Sequence, residues 1–417
     1  MRRIVREPAG DVTGEAAGPL AGIRVVDLTR VMTGPYGTMM LADMGADVIK
    51  IERPGAGDDT RHWGPPFVEG EASYFMSVNR NKRSIALDLK SDAGREALWK
   101  LIDGADVFIE NFSPGTIDRL GFGYQAVSER NPAIIYASIS GFGQTGPSRN
   151  RTAYDLIVNG MSGMASVTGD PAGPPMKVGV PMADIAAGMF TASAVCAALF
   201  ARERDPFNRG QYVDTSMLGG QIAMLTYQAG VWLTAGQRPM RTGNRHSIIT
   251  PYDTFRSADG YVNIAVGNDA IWQRFCTALG LEEEKDDPRF RTNADRLANI
   301  KPLYEILERV LTSMTTQEIV DRLDSAAVPC GPIYHVDEIL NDPQVEDQKL
   351  VRKVPHAKLG EISVAGFPYN FHGTPLEMRY GPPVLGEHSR EILKELGYDD
   401  VAIDEMIASG AIEEPTD

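Results

Sequence analysis

Between Gly22 and Ile139 short, almost unbroken apolar runs alternate with helical segments, and this pattern restricts the fold more than any single motif. A run without polar alternation must be buried on both faces, which calls for a parallel sheet with helices packed on either side. The residues Gly22–Leu28 predict a strand. Pro35–Met44 predict a helix entered through Thr33-Gly34-Pro35 and closed by Gly45, and Asp47–Glu52 predict the next strand. A helix over Gly94–Ile102, a strand over Asp106–Glu110, a helix capped by Ser113 with Pro114 at its first position, and a strand over Ile134–Ile139 continue the series. After about residue 225 the texture changes. Tyr252–Phe255 and Tyr261–Val266 flank an Ala258-Asp259-Gly260 turn, as an antiparallel hairpin does, and a helix over Asp269–Leu279 opens a smaller α+β region reaching Ala326. From Pro329 the pattern is irregular until a helical segment over Gly386–Gly410 and an acidic tail from Glu413.

A single hydrophobic core stops growing near roughly 250–300 residues, so 417 residues predict two domains. With 41 Lys and Arg against 56 Asp and Glu the net charge is −15, which disfavours nucleic acid and anionic membrane as partners. Cys196, Cys276 and Cys330 fit neither a disulfide framework nor a zinc site, and a reducing, cytoplasmic setting is the expectation. No apolar segment of the secretory kind follows the charged start, and residues 1–18 read as a mobile leader. Ile185–Ala201 is uncharged but short and rich in small residues, so it predicts a buried helix rather than a membrane span.

Several common chemistries are excluded by spacing. No Gly-Lys dipeptide exists to form a P-loop, and HExxH, CxxC and GxSxG are missing. No histidine lies between His62 and His246, so acid–base work in that stretch falls to carboxylates, tyrosines or lysines. Gly141-Phe142-Gly143-Gln144-Thr145-Gly146 matches the dinucleotide fingerprint after a strand, but Pro147-Ser148-Arg149-Asn150-Arg151 follows where a helix should open, and a plain loop near an active site is the better reading.

Asp184 follows the break at Pro181 and stands at the entry to a helix of Ala, Gly and Ser, where free N–H groups and the helix dipole favour an ionised carboxylate. Capping is the commoner use of such an aspartate, whereas the small residues behind it allow close approach of backbone or of a ligand. The basic run Asn79-Arg80-Asn81-Lys82-Arg83 reads either as a phosphate site or as a solvated turn. Asn111 and Phe112 lie past a strand's carboxyl end, where open α/β sheets bind ligands, and Arg53 and Arg119 are placed to meet a phosphate or to neutralise a helix end.

These segments resemble the class III, or CaiB/BaiF-type, coenzyme A transferases from Leu20 to about Ile412. The resemblance is carried by Leu41–Glu52, Asn79–Ser84, Glu110-Asn111-Phe112, Pro329-Cys330-Gly331-Pro332 and Leu385-Gly386-Glu387-His388. It implies that Asp184 is a nucleophile passing through an aspartyl mixed anhydride and a β-aspartyl-CoA thioester, with no metal and no permanently bound cofactor, coenzyme A thioester being the substrate. Water has to be kept out of such a site, and flexible glycine-rich segments are candidate lids. It further implies CoA contacts at Val31, Met32, Thr33, Arg53, Leu87, Lys90, Asn111, Phe112 and Arg119, with Tyr154 and Asp155 beside the nucleophile. The implied fold is a large Rossmann-like α/β domain with a parallel sheet plus a smaller α+β domain, in an interlocked homodimer. Residues 19–225 would begin the large domain, 226–328 form the small one, and 329–417 return to complete the large one. Acyl-CoA and small carboxylic acids would be the partners.

Formyl-CoA transferases carry a glutamine where this chain has Met32 and four glycines where it has Gly243-Asn244-Arg245-His246, which disfavours formate and oxalate. The stretches Glu52–Arg61, Trp63–Phe67 and Ser77–Lys82 look closest to succinyl-CoA-dependent transferases acting on dicarboxylates such as glutarate. Arg245 and His246 are then candidates for the acceptor's distal carboxylate, with a solvated loop as the plainer reading. The rival on the same scaffold is a 2-methylacyl-CoA racemase, which needs two bases; here Ala153-Tyr154-Asp155 replaces its Gly-His-Asp, and a tyrosine is a poor base near neutral pH. A CoA-binding protein without turnover is disfavoured by the presence of Asp184.

Overall fold

The computed structural model describes residues 18–415, so the expected leader, apart from Gly18, lies outside the described residues. Adjacent strand residues bury on opposite sides of one sheet. Val25, Val48, Val107, Ile109, Ile135 and Ala137 face one core, and Val26, Leu28, Ile49, Ile51, Phe108 and Tyr136 face the other. This two-sided burial is the physical reason the strands read as continuous apolar runs.

The sheet contains β1 (Arg24–Asp27), β2 (Asp47–Glu52), β3 (Lys82–Leu87), β4 (Val107–Glu110), β5 (Ile135–Ser140), β6 (Gln211–Ser216) and β7 (Ile412–Glu413). Its order is β7-β3-β2-β1-β4-β5-β6. Every pairing is parallel except that of β7 with β3, where Ile412 faces Leu87. The chain runs outward from β1 through β2 to β3 and then restarts at β4 on the other side of β1. That reversal opens a crevice beyond the carboxyl ends of β1 and β4, the place where doubly wound sheets hold ligands.

Two helices cover one face. Helix α1 (Thr33–Asp43) and helix α2 (Met182–Arg204) meet at Gly37 and Gly188, where a Cβ on Gly188 would lie 2.6 Å from the Thr33 carbonyl oxygen and one on Gly37 2.8 Å from that of Gly188. The contact is backbone against backbone, so the small residues of α2 serve close packing. Among the described residues α2 is the one helix long and apolar enough to cross a membrane, and half of its apolar window is buried in the protein.

The described residues form two compact units. The first holds the sheet and comprises residues up to Met164, Val178–Gly230, and those from Glu346 onward; the second comprises Ala165–Lys177 and Val231–Val345. Within the second, the expected hairpin is Tyr252–Arg256 against Tyr261–Ala265, and the expected helix is Asp269–Leu279, capped by the Asn268 side chain and ended by Gly280. The sequence reading returned the chain to the large unit at residue 329. Instead Cys330–Pro332 adds a third antiparallel strand to the hairpin, with Pro332 opposite Val262, and these bonds keep the chain in the second unit through Val345. Two other expectations differ. The helix after β4 spans only Thr116–Arg119, behind a left-handed Gly115, and the acidic tail contributes β7.

Candidate active site

The exit of β1 is held by buried charges. Lys50 on β2 donates to the Thr29 carbonyl at 2.8 Å and to the Asp58 carboxylate at 2.9 Å, and both ionic side chains are 1% exposed. Asp58 also accepts the Val31 N–H at 3.1 and 3.2 Å, pinning Val31 at a φ of 69°. Burial alone would raise the Asp58 carboxyl, but the Lys50 charge and the Thr60 bonds outweigh it and hold the group at about 2. Across the switch point the Asn111 amide closes a reciprocal pair, accepting the Arg30 N–H at 2.9 Å and donating to the Arg30 carbonyl at 2.8 Å.

Beyond these exits lies a cleft of about 240 Å³ lined by Arg30, Val31, Thr33, Asn111, Phe112, Arg149, Arg151, Tyr154 and Asp184, among others. Its floor is the first turn of α2. The sequence reading placed Asp184 at the cap, yet α2 begins at Met182, which makes Asp184 its third residue. Asp155 takes the capping role instead, its Oδ1 accepting the Ala183 N–H at 2.8 Å. The Asp184 carboxylate is left to accept one hydrogen bond, from the Thr33 hydroxyl at the start of α1. Burial pushes the Asp184 carboxyl up, the Thr33 hydroxyl pulls it back and the Asp155 charge pushes it again, leaving it at about 6. The carboxyl is therefore a weaker acid than an exposed aspartate, yet the expectation of an ionised group holds near neutral pH. Near pH 7 the group is still ionised in a ratio of roughly ten to one.

Of the residues assigned to CoA by resemblance, Val31, Thr33, Asn111 and Phe112 come together in this cleft. Met32 packs its side chain against Met39 and Val78, and Leu87 lies in the core, so any ligand contact they make is through backbone. Arg53 is exposed and paired with Asp59 at 3.1 Å, Arg119 is exposed with its guanidinium on the Thr116 hydroxyl at 2.8 Å, and Lys90 is exposed. Arg245 and His246 belong to the second unit, where Thr242 donates to the Arg245 carbonyl at 2.6 Å and the His246 ring lies 5.2 Å from that of Tyr252. The basic run is neither a phosphate site nor a solvated turn. Arg80 pairs with buried Asp43, Lys82 with Asp27, and Arg83 with Asp47 and Glu395.

Sequence reasoning passed over Arg30, Arg149 and Arg151, which bring positive charge to the cleft. The signal for two of them was the very stretch that rules out a dinucleotide helix: no helix follows Gly146, and the chain passes through turns at Arg149 and Arg151 before the helix that opens at Asp155. The Arg30 guanidinium sits over the Phe112 ring, 5.4 Å from its centroid. An ionised carboxylate, a hydroxyl that orients it, and three guanidinium groups at a Rossmann-type switch point make a site for nucleophilic work on an anionic acyl compound.

Comparison with known proteins agrees with this chemistry. The model of CoA-transferase family III matches residues 20–389. A succinyl-CoA:glutarate CoA-transferase of Mus musculus is 42% identical over 95% of this chain and 91% of its own length. A succinate–glutarate CoA-transferase of Agrobacterium fabrum is 43% identical over 91% of this chain and 96% of its own. An acetyl-CoA:oxalate CoA-transferase of Acetobacter aceti reaches 42% over 91% and 96%, so overall similarity does not carry the expectation against oxalate. The solved structure of a CaiB/BaiF family protein from Brucella suis superposes with a TM-score of 0.82 at 40% identity, covering 91% of this chain and all of that one. By the family match and by these identities over nine-tenths of its length, the chain belongs to CoA-transferase family III.

Proposed function

We propose that this enzyme moves coenzyme A from succinyl-CoA to a dicarboxylic acid such as glutarate, with Asp184 as the nucleophile. The observation that carries the reading is the placement of Asp184 on the floor of the switch-point cleft, bonded to Thr33. A carboxylate oxygen of Asp184 attacks the thioester carbonyl and expels the CoA thiolate, giving a mixed anhydride. The thiolate then attacks the aspartyl carbonyl, forming a β-aspartyl-CoA thioester and releasing succinate. The acceptor carboxylate attacks that thioester, the thiolate leaves and returns to the acceptor's acyl carbon, and the Asp184 carboxylate is regenerated. Each step exchanges one activated acyl group for another, so neither redox change nor water takes part.

Arg30, Arg149 and Arg151 supply charge for phosphates and carboxylates around this centre. The similarity to glutarate-specific relatives supports the acceptor class. Racemisation is disfavoured by the site: Tyr154 is exposed, and Asp155 spends an oxygen on the Ala183 N–H. The functional unit is a homodimer working in the cytoplasm; in support of the dimer, Tyr154, Leu156, Ile157 and Met161 line up as exposed apolar side chains next to the cleft.

Incubation with succinyl-CoA followed by hydroxylamine tests the nucleophile. Hydroxylamine converts an activated aspartyl carbonyl into a hydroxamate, so mass spectrometry should find that product on the Asp184 peptide of the wild type and not in Asp184→Ala. Transfer to glutarate without any such product would overturn the covalent route.

A further inference from the structure

One buried carboxylate next to the cleft has no part in the reaction above. Glu110 ends β4, is 2% exposed, and makes no ion pair among the described residues. Its Oε2 accepts the Phe112 N–H at 2.8 Å, and its Oε1 accepts the hydroxyl of Ser138, the residue opposite it on β5. Ser138 Oγ accepts in turn from Gln144 Nε2 at 2.8 Å, and Gln144 lies in the glycine-rich loop Gly141–Gly146. Phe112 forms one rim of the cleft, while Gly141 and the chain from Arg149 to Tyr154 form the other. Glu110 therefore joins the two rims through one intervening serine.

We infer that Glu110 is a positioning residue for the ligand in this cleft: as a carboxylate it clamps the Phe112 rim and, through Ser138, the glycine-rich loop. The inference rests on reading the cleft as the CoA site. An ionised carboxylate accepts both bonds, and with its proton committed to Glu110 the Ser138 hydroxyl keeps its lone pairs for Gln144. A proton on Glu110 turns one oxygen into a donor. The one oxygen left to accept is neutral and serves either the Phe112 N–H or Ser138, whose hydroxyl can turn instead to the neighbouring Tyr212, so the clamp on the two rims is weakened.

This exchange falls within the working pH range. Burial pushes the Glu110 carboxyl up against the pull of Ser138 and the Phe112 N–H, and the charges of Asp118 and Asp214 push the same way, leaving it at about 7. Asp118 faces it from the helix after β4 and Asp214 from β6; the other titratable neighbours, Tyr136 on β5 and Tyr212 on β6, are held neutral by burial. Arg119, on the same short helix as Asp118, has its guanidinium on the Thr116 hydroxyl and makes no ion pair with Glu110.

Calorimetric titration of the full chain with free coenzyme A at about pH 6, 7 and 8 tests the inference. Losing a charge-assisted bond should weaken wild-type affinity roughly three- to tenfold from the alkaline to the acidic end. Glu110→Gln offers an amide in place of the protonated acid, so it should bind like the acidic wild type at every pH, a cooperative thermal transition showing that the variant is folded. The ratio of the two affinities is the readout, because ionisation of the ligand's phosphate and of Asp184 is common to both proteins. A flat wild-type affinity, which needs no variant, or an equal pH response in Glu110→Gln overturns the inference. Failure of the wild type to bind coenzyme A at any pH is a different result and overturns the cleft assignment itself.

Discussion

At the scale of single residues, Asp184 is set by a balance between burial and one hydroxyl. Because burial outweighs the Thr33 bond and leaves the carboxyl at about 6, the rate should fall about tenfold per pH unit below that value as the proposed nucleophile takes up its proton. Thr33→Val removes the opposing bond, so the acidic limb of the profile should move to higher pH, with a larger loss near pH 6 than near pH 8. Equal loss at both would mean that Thr33 acts only by packing. Asp58 shows the opposite balance. A folded-state carboxyl at about 2, against an unfolded value of 3.8, stabilises the fold fully above about pH 4, and the contribution is lost as pH falls through about 2. Asp58→Asn removes the carboxylate bonded to buried Lys50, leaving it the Thr29 carbonyl and the more distant Asp27 and Glu52 charges, and weakens the hold on the Val31 turn, so urea unfolding near pH 7 should show a loss of about 3 kcal/mol. A loss below about 1 kcal/mol would contradict the role assigned to that pair.

At the scale of elements, the active site depends on how closely α1 and α2 approach. Thr33 opens one helix and Asp184 lies in the first turn of the other, and the Gly37–Gly188 crossing sets the distance between them. Gly188→Ala places a methyl group 2.6 Å from the Thr33 carbonyl, so the helices must part by a few tenths of an ångström or more. Overpacking of this kind costs about 1–3 kcal/mol. It should also lower kcat more than it raises KM, since the Thr33–Asp184 bond is stretched while the Phe112 and Gly141 rims of the cleft are untouched. Unchanged kcat in a folded Gly188→Ala enzyme would separate the crossing from catalysis. The small residues of α2 were legible in the sequence as a sign of close approach, but the partner was not: a run of Ala, Gly and Ser shows that something comes near without showing that it is the backbone of α1. Capping was misread for a related reason. Pro181 marks where a helix can begin, whereas the carboxylate that caps it comes from Asp155, on another segment, and no local pattern announces that.

At the scale of the whole molecule, local periodicity revealed β1, β2, β4, β5, the hairpin and the helix that carries Asp184, because each is written in consecutive residues, whereas the polar strand Gln211–Ser216 went unread. What escaped it depends on distant pairing. Ile412–Glu413 is too short to have a period and becomes a strand only because Ala86 and Leu87 offer an edge, and Cys330–Pro332 stays with the second unit through its bonds to Tyr261–Ala265. Arg80, Lys82 and Arg83 looked like a surface run since their partners, Asp43, Asp27 and Asp47, lie in earlier elements. The same scale governs the exposed apolar residues. Leu156, Ile157 and Met161 lie on the short helix Asp155–Met161 with Tyr154 just before it beside the cleft, and Phe190 and Phe200 are exposed on α2. A soluble monomer rarely shows water so many large apolar groups in one region. If a second copy covers them, light scattering should give twice the chain mass down to nanomolar concentration, and activity should be lost together with the dimer rather than before it. Leu156→Glu puts a charge on that surface without touching Asp184, Thr33 or Asp155. It should yield monomers or aggregates with a folded α/β unit and a sharply reduced rate, whereas a fully active Leu156→Glu monomer would show that one chain completes the site.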